Sequence, residues 1–197
     1  MKLNIHIFRP FSIFAAMLVA LPLTAGNAKF QNNATDMIQN LETRAREVRQ
    51  QAGVLQTFTR FPDLNSNVSH DGKLIRIKED VNAMAEIVEK LQQNRAEAAD
   101  WQVQFVNHLL PRMESLASNT EQAIKFVNQK PNQLFNPNYD AYVDEIYQRS
   151  SSIVRITDSF LDWANTHSEL ESVTESRNDA VNESQARTVS AIGPTYR

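Results

Sequence analysis

The chain predicts an all-α protein: an antiparallel four-helix bundle of long helices, followed by a polar, partly disordered C-terminal tail. Three observations carry this expectation. Apolar residues recur at alternating steps of four and three in four separate stretches, and no stretch sustains a period of two. Each stretch would make a helix roughly 40 Å long at 1.5 Å per residue, and similar lengths with one apolar face apiece suit a bundle. Four Gly and seven Pro in 197 residues are few for the turns of an all-β fold.

The elements follow in order. Residues 1–28 read as a cleavable signal peptide: Lys2 and Arg9 give a positive start, an apolar run spans Phe11 to Leu23, and Gly26-Asn27-Ala28 offers small residues for cleavage. That run is shorter than the ~20 residues needed to cross a bilayer, so the mature chain carries no transmembrane span. No Cys follows the small residues, which removes a lipoprotein anchor. The expected location is exported, periplasmic or secreted.

The first helix is expected at about 31–60, where Ala34, Ile38, Leu41, Ala45, Val48, Ala52 and Leu55 form the apolar stripe. It ends at Phe61-Pro62, because the residue before Pro is pushed out of the α region. A polar connection, "PDLNSNVSHDG" (62–72), precedes the second helix, with Ser69 or Asp71 as its cap. The second helix, about 72–98, places Leu74, Ile77, Val81, Met84, Val88, Leu91 and Ala98 on its stripe. Between 95 and 101 the spacing contains two fours in succession, read here as a tight turn with Asp100 as N-cap; one continuous helix is the alternative.

The third helix, about 101–130, carries Val106, Leu109, Met113, Leu116, Thr120, Ala123 and Val127, with a kink expected at Pro111 and an end at Lys130-Pro131. The fourth, about 137–168, opens with Asn136 as N-cap and Pro137 at the first helical position. Tyr139, Val143, Ile146, Ser150, Ile153, Thr157, Phe160 and Ala164 form its stripe. The bundle domain is taken as 29–175. Residues 176–197 are too poor in apolar side chains to offset chain entropy and are expected to be a flexible tail.

Composition narrows the chemistry. The leader holds two basic residues and no acid, so removing it takes the net charge from −3 to −5. An acidic chain without a Lys/Arg cluster disfavours nucleic acid as a partner. The absence of Cys removes thiol catalysis, Cys-ligated zinc, iron–sulfur clusters and covalent c-type haem. No Gly-x-Ser-x-Gly, His-Glu-x-x-His, Glu-x-x-His or Gly-rich phosphate loop occurs.

The 62–72 connection has alternating oxygens at Asp63, Asn65, Asn67, Ser69 and Asp71, as a calcium loop does. Val68 stands where that loop needs Gly, and Leu74, a core residue, where it needs a bidentate Glu. The connection therefore reads as a long polar lid. Met37 on the first helix and His167 on the fourth together resemble the axial pair of exported four-helix b-type cytochromes. That resemblance rests on two residues and an architecture, and implies haem between them.

Aromatic residues leave the remaining clue. In an antiparallel bundle Phe58, Phe61, Phe135 and Tyr139 share one pole with the 62–72 lid and His70, while Trp101, Phe105, Phe160 and Trp163 share the other. A ligand or partner patch is therefore placed at the loop pole, on Phe58, Phe61, His70, Phe135 and Tyr139. No catalytic or metal-ligating residue and no cofactor is assigned. The expected function is that of a non-enzymatic exported bundle acting through interaction or as a scaffold in the cell envelope, its partner a protein or a small apolar ligand. The alternative is a bundle binding haem, a metal or a small apolar molecule.

Overall fold

The computed structural model describes residues 28–61 and 67–191, and the heptads become four helices. They are α1 (Ala28–Arg60), α2 (Asn67–Gln93), α3 (Asp100–Gln129) and α4 (Pro137–Ala191), with a 3-10 turn over Arg95–Glu97 between α2 and α3. The expected signal peptide lies outside the described residues except for Ala28, as do residues 62–66 of the connection and 192–197 of the tail. The chain forms two compact units, one through Ser159 and one from Phe160 onward.

In the first unit, contacts between named side chains give the topology. Arg44 on α1 bonds Asp80 on α2 at 3.0 Å, and Phe58 meets His70 with ring centroids 5.5 Å apart. Numbers rise along α1 as they fall along α2, so the two run antiparallel. The same relation joins α1 to α4 through Arg46–Asp158 (2.8 Å), Gln56–Asp144 (2.7 Å) and Thr59–Asp140 (2.6 Å). It joins α3 to α4 through Arg112–Ser152 (3.1 Å) and the stacked rings of Phe126 and Tyr139. α2 packs on α3. Diagonal pairs mark the two poles: Gln102 reaches Thr35 at one, and His70 meets Tyr139 at the other.

The stripes read from sequence are the core, except that Ala98, Phe160 and Ala164 are only half-buried. All seven α1 positions from Ala34 to Leu55 are fully buried, and so are Leu74, Ile77, Met84, Leu109, Met113, Leu116, Tyr139, Val143, Ile146 and Ile153. Three hydroxyls share this interior without a cross-helix partner. Thr120, Ser150 and Thr157 donate back to the carbonyls of Leu116, Ile146 and Ile153 at 2.8–2.9 Å, which satisfies each within its own helix.

Several boundaries differ from expectation for physical reasons. α2 begins at Asn67, so Ser69 and Asp71 lie inside its first turns rather than capping it, and the 62–72 lid contracts to a short connection. Ser69 and Asp71 are two apart on a helix, hence on opposite sides, which dismantles the calcium-loop geometry. The break near 95–101 is a turn, but its N-cap is Ala99. Asp100 is the first helical residue, and the Ala99 N–H donates to Gln102 Oε1 at 3.0 Å.

α3 and the start of α4 follow the reading more closely. α3 closes at Lys130, before Pro131. Asn136 caps α4, its Oδ1 accepting the Asn138 N–H at 3.0 Å, with Pro137 next in the chain. Pro111 lies within α3 on an exposed face.

α4 runs to Ala191, past the expected end at 168 and into the segment taken as a flexible tail. After Pro137 no Gly or Pro occurs before Gly193-Pro194, so nothing in the sequence stops the helix. In the second unit, hydroxyls bond to the preceding turn, as Thr166 does to Asp162, Thr174 to Leu170 and Ser176 to Ser172. The ring of Trp163 stacks on His167 at 4.9 Å, and Leu170 and Val173 are exposed.

Candidate functional site

The loop pole is built by four helix ends. Phe58 stands two residues before the end of α1, His70 in the first turn of α2, Phe126 near the end of α3, and Tyr139 in the first turn of α4. His70 is fully buried because it continues the heptad of α2 one step upstream: 70, 74, 77, 81 repeats the four-three-four spacing. Tyr139 is fully buried at the first position of the α4 stripe.

Geometry links these rings. His70 Nδ1 and Tyr139 Oη are 2.9 Å apart. The His70 ring tilts against both Phe58 and Tyr139 with centroids 5.5 Å away, and Tyr139 stacks on Phe126 at 5.6 Å. Lys130 Nζ lies over the Phe126 ring, 5.3 Å from its centre. Leu134, in the α3–α4 connection, is buried as well. Thr59 donates to Asp140 at 2.6 Å and ties α1 to α4 beside the cluster.

Electrostatics at this pole are those of a dry site. Burial lowers the His70 pKa from 6.5 to about 4, so its ring is neutral at pH 7. Burial, and then the nearby Asp71 carboxylate, raises the Tyr139 pKa, so its hydroxyl keeps its proton. Burial likewise raises the Asp71 carboxyl. We assign Tyr139 as donor to Nδ1, which puts the ring proton on Nε2. Nε2 is buried with no hydrogen-bond partner among the described residues, and the same holds for Asp71 Oδ1. Either tautomer leaves Nε2 unsatisfied, so the choice does not affect this point.

Of the five residues placed here from sequence, three meet directly: Phe58, His70 and Tyr139. The other two face outward. Phe61, next after the end of α1, is 56% exposed, and Phe135, in the connection two residues before α4, is 47% exposed. Phe126 and Leu134 were not singled out. Phe126 flanks the stripe position Val127, and the rule that an antiparallel bundle gathers the end of α3 at this pole could have found it.

The arrangement seals rather than opens the bundle end. His70 is fully buried, and its one polar contact among the described residues is internal. Phe61 and Phe135, and the cations Arg60 and Lys130, are exposed in the chain segments at these helix ends.

The remaining sequence-derived suggestions find these places. Met37 is half-buried on α1 beside Ile38, and His167 is exposed on α4. No group of three or more His, Asp or Glu side chains is placed to hold a metal among the described residues. The opposite pole contains a cavity of about 10 Å³ lined by Leu91, Ala98, Gln102 and Val106, room for about one water. Among the described residues no helix is long and apolar enough to cross a membrane. No family model, no curated protein and no solved structure matches this chain.

Proposed function

We propose that this chain is an exported helical-bundle protein of the cell envelope that acts by interaction, without turnover, and docks a protein partner at its loop pole. The observation that carries this reading is the contrast at that pole. The interior is closed by the His70–Tyr139 pair, while Phe61, next after α1, and Phe135, in the α3–α4 connection, stay about half exposed. An exposed Phe normally finds cover, and two at one helix-bundle end form an anchor pair of the kind that dominates interface energetics.

The charge around the rings indicates the partner's character. Exposed Arg60 directly precedes Phe61 and exposed Lys130 stands at the end of α3, five residues before Phe135, on a chain whose net charge is −5 without residues 1–28. A partner presenting apolar side chains ringed by carboxylates complements this pole and is repelled by the rest of the surface. The signal-peptide pattern of residues 1–28 supports the exported location.

Site-resolved photo-crosslinking in the native host tests the reading. A benzophenone side chain at position 61 or 135 should capture one acidic protein, and the same group at exposed Lys90, on the far half of α2, should not. Equal capture from both places would defeat the assignment. The alternative, a bundle that holds haem, a metal or a small apolar molecule, predicts a visible absorbance band or a co-purifying ligand in protein taken from the same host.

A further inference from the structure

We propose that His70 makes the loop pole an acid-sensitive latch: a proton on its ring opens the first turn of α2 and the adjoining helix ends, while the rest of the bundle stays folded.

The argument begins with what a second ring proton would meet. In the neutral ring Nδ1 accepts from Tyr139 and Nε2 is buried without a partner among the described residues. A proton added at Nδ1 replaces that acceptor by a donor, so the Tyr139 hydroxyl must turn its own hydrogen elsewhere. The new charge also sits against the Phe58 and Tyr139 rings, away from water.

The charged groups at this end do little to compensate. From α1 the end contributes Arg60, and from α3 Lys130, which lies over the Phe126 ring. From α2 it contributes Lys73 and Asp71, and from α4 Asp140, whose Oδ1 already accepts from Thr59. Three cations therefore stand against two carboxylates. The Asp71 carboxyl is itself raised by burial, so it moves towards neutrality in the same acid. The first turn of a helix is also the place where its dipole disfavours a cation.

Location decides how the strain is released. His70 is the fourth residue of α2, and the fully buried stripe residues begin after it at Leu74. Unwinding one helical turn frees the ring to reach water, whereas the central core would have to open completely to free any residue there. Local opening at a helix end is the cheaper route.

The sign follows from linkage. The folded-state pKa of His70 lies below the unfolded value, so its contribution to closure is complete above pH 6.5 and is lost as pH falls from 6.5 towards about 4. Asp71 and Asp80 have carboxyl pKa values raised by burial and act in the opposite direction, adding stability as pH falls. Under the proposed function the consequence is partner release in acid, because the helix ends next to Phe61 and Phe135 open. The latch itself stands on the structure alone and is tested without any partner.

The test is amide hydrogen exchange on the full chain between pH 7.5 and 4.5, corrected for intrinsic rates, together with an NMR titration of the His70 ring. The ring signal is identified by its absence from the His70→Gln spectrum. Expected are an opening constant for amides of residues 69–73 that rises towards tenfold per pH unit below 6.5, unchanged protection at Met84 and Ile146, and a His70 midpoint well below 6.5. In His70→Gln the slope disappears. If that variant does not fold, the native-ring titration decides. A His70 midpoint at or above 6.5, or exchange at 69–73 that does not change with pH, overturns the proposal.

Discussion

Replacing Tyr139 by Phe tests the seal at a single atom. The ring keeps its place, since its stack on Phe126 and its contact with His70 depend on shape and not on the hydroxyl. What is lost is the 2.9 Å bond to His70 Nδ1, inside a site where both side chains are fully buried. His70 then holds two buried nitrogens without partners instead of one. An orphaned buried polar group costs about 1–3 kcal/mol. For a domain of this size each kcal/mol lowers Tm by about 2–4 °C, so the expected loss is roughly 2–12 °C.

Urea unfolding at pH 7.5, followed by far-UV circular dichroism, measures the change. A cycle with His70→Phe isolates the pair. Removing both partners leaves no orphan, so the double variant should be more stable than the sum of the single changes implies, by roughly 0.5–3 kcal/mol. Wild-type stability in Tyr139→Phe, or strict additivity in the cycle, would refute the reasoning that the two side chains lock the pole.

Two further expectations concern the helices that hold this pole in place. Gly53 lies within α1, and a Cβ there would meet the Tyr147 ring at 3.6 and 3.8 Å, an ordinary contact; Gly53→Ala should stabilise by about 0.5–1 kcal/mol, and a lower Tm would show that α1 and α4 are tighter than described. Thr157 bonds only the carbonyl of Ile153 from its core position; Thr157→Val should be within about 1 kcal/mol of wild type or more stable, and a larger loss would reveal a cross-helix role for the hydroxyl.

The fold was legible because packing obeys a simple spacing rule. Each stripe from Ala34 to Leu55, Leu74 to Leu91, Val106 to Val127 and Tyr139 to Thr157 is the buried face. Boundaries set by backbone chemistry were legible too, as at Phe61-Pro62, Lys130-Pro131 and Asn136-Pro137. The start of α2 was not, because Ser69 and Asp71 carry capping side chains and drew attention from the heptad step that lands on His70. The end of α4 escaped for a related reason. A loss of apolar residues removes the packing signal for a helix but does not break it, and the breakers arrive only at Gly193-Pro194.

The site divides along the same line. That Phe58, His70 and Tyr139 share a pole follows from antiparallel topology, and sequence reasoning reached it. That His70 is a buried latch and Phe61 and Phe135 are exposed depends on which side of each helix end the chain leaves. Hydrophobic spacing contains no such information for residues beyond the last turn.

The central claim is that the loop pole is the working surface, and one affinity measurement addresses it directly. The partner captured at positions 61 and 135 is purified and titrated against the wild-type chain and against a Phe61→Ser/Phe135→Ser variant whose circular dichroism and Tm are unchanged. Two half-exposed Phe rings bury on the order of 100 Å² each on docking, and at about 25 cal/mol per Å² their loss should weaken binding at least tenfold. A dissociation constant unchanged by the double substitution would contradict the account.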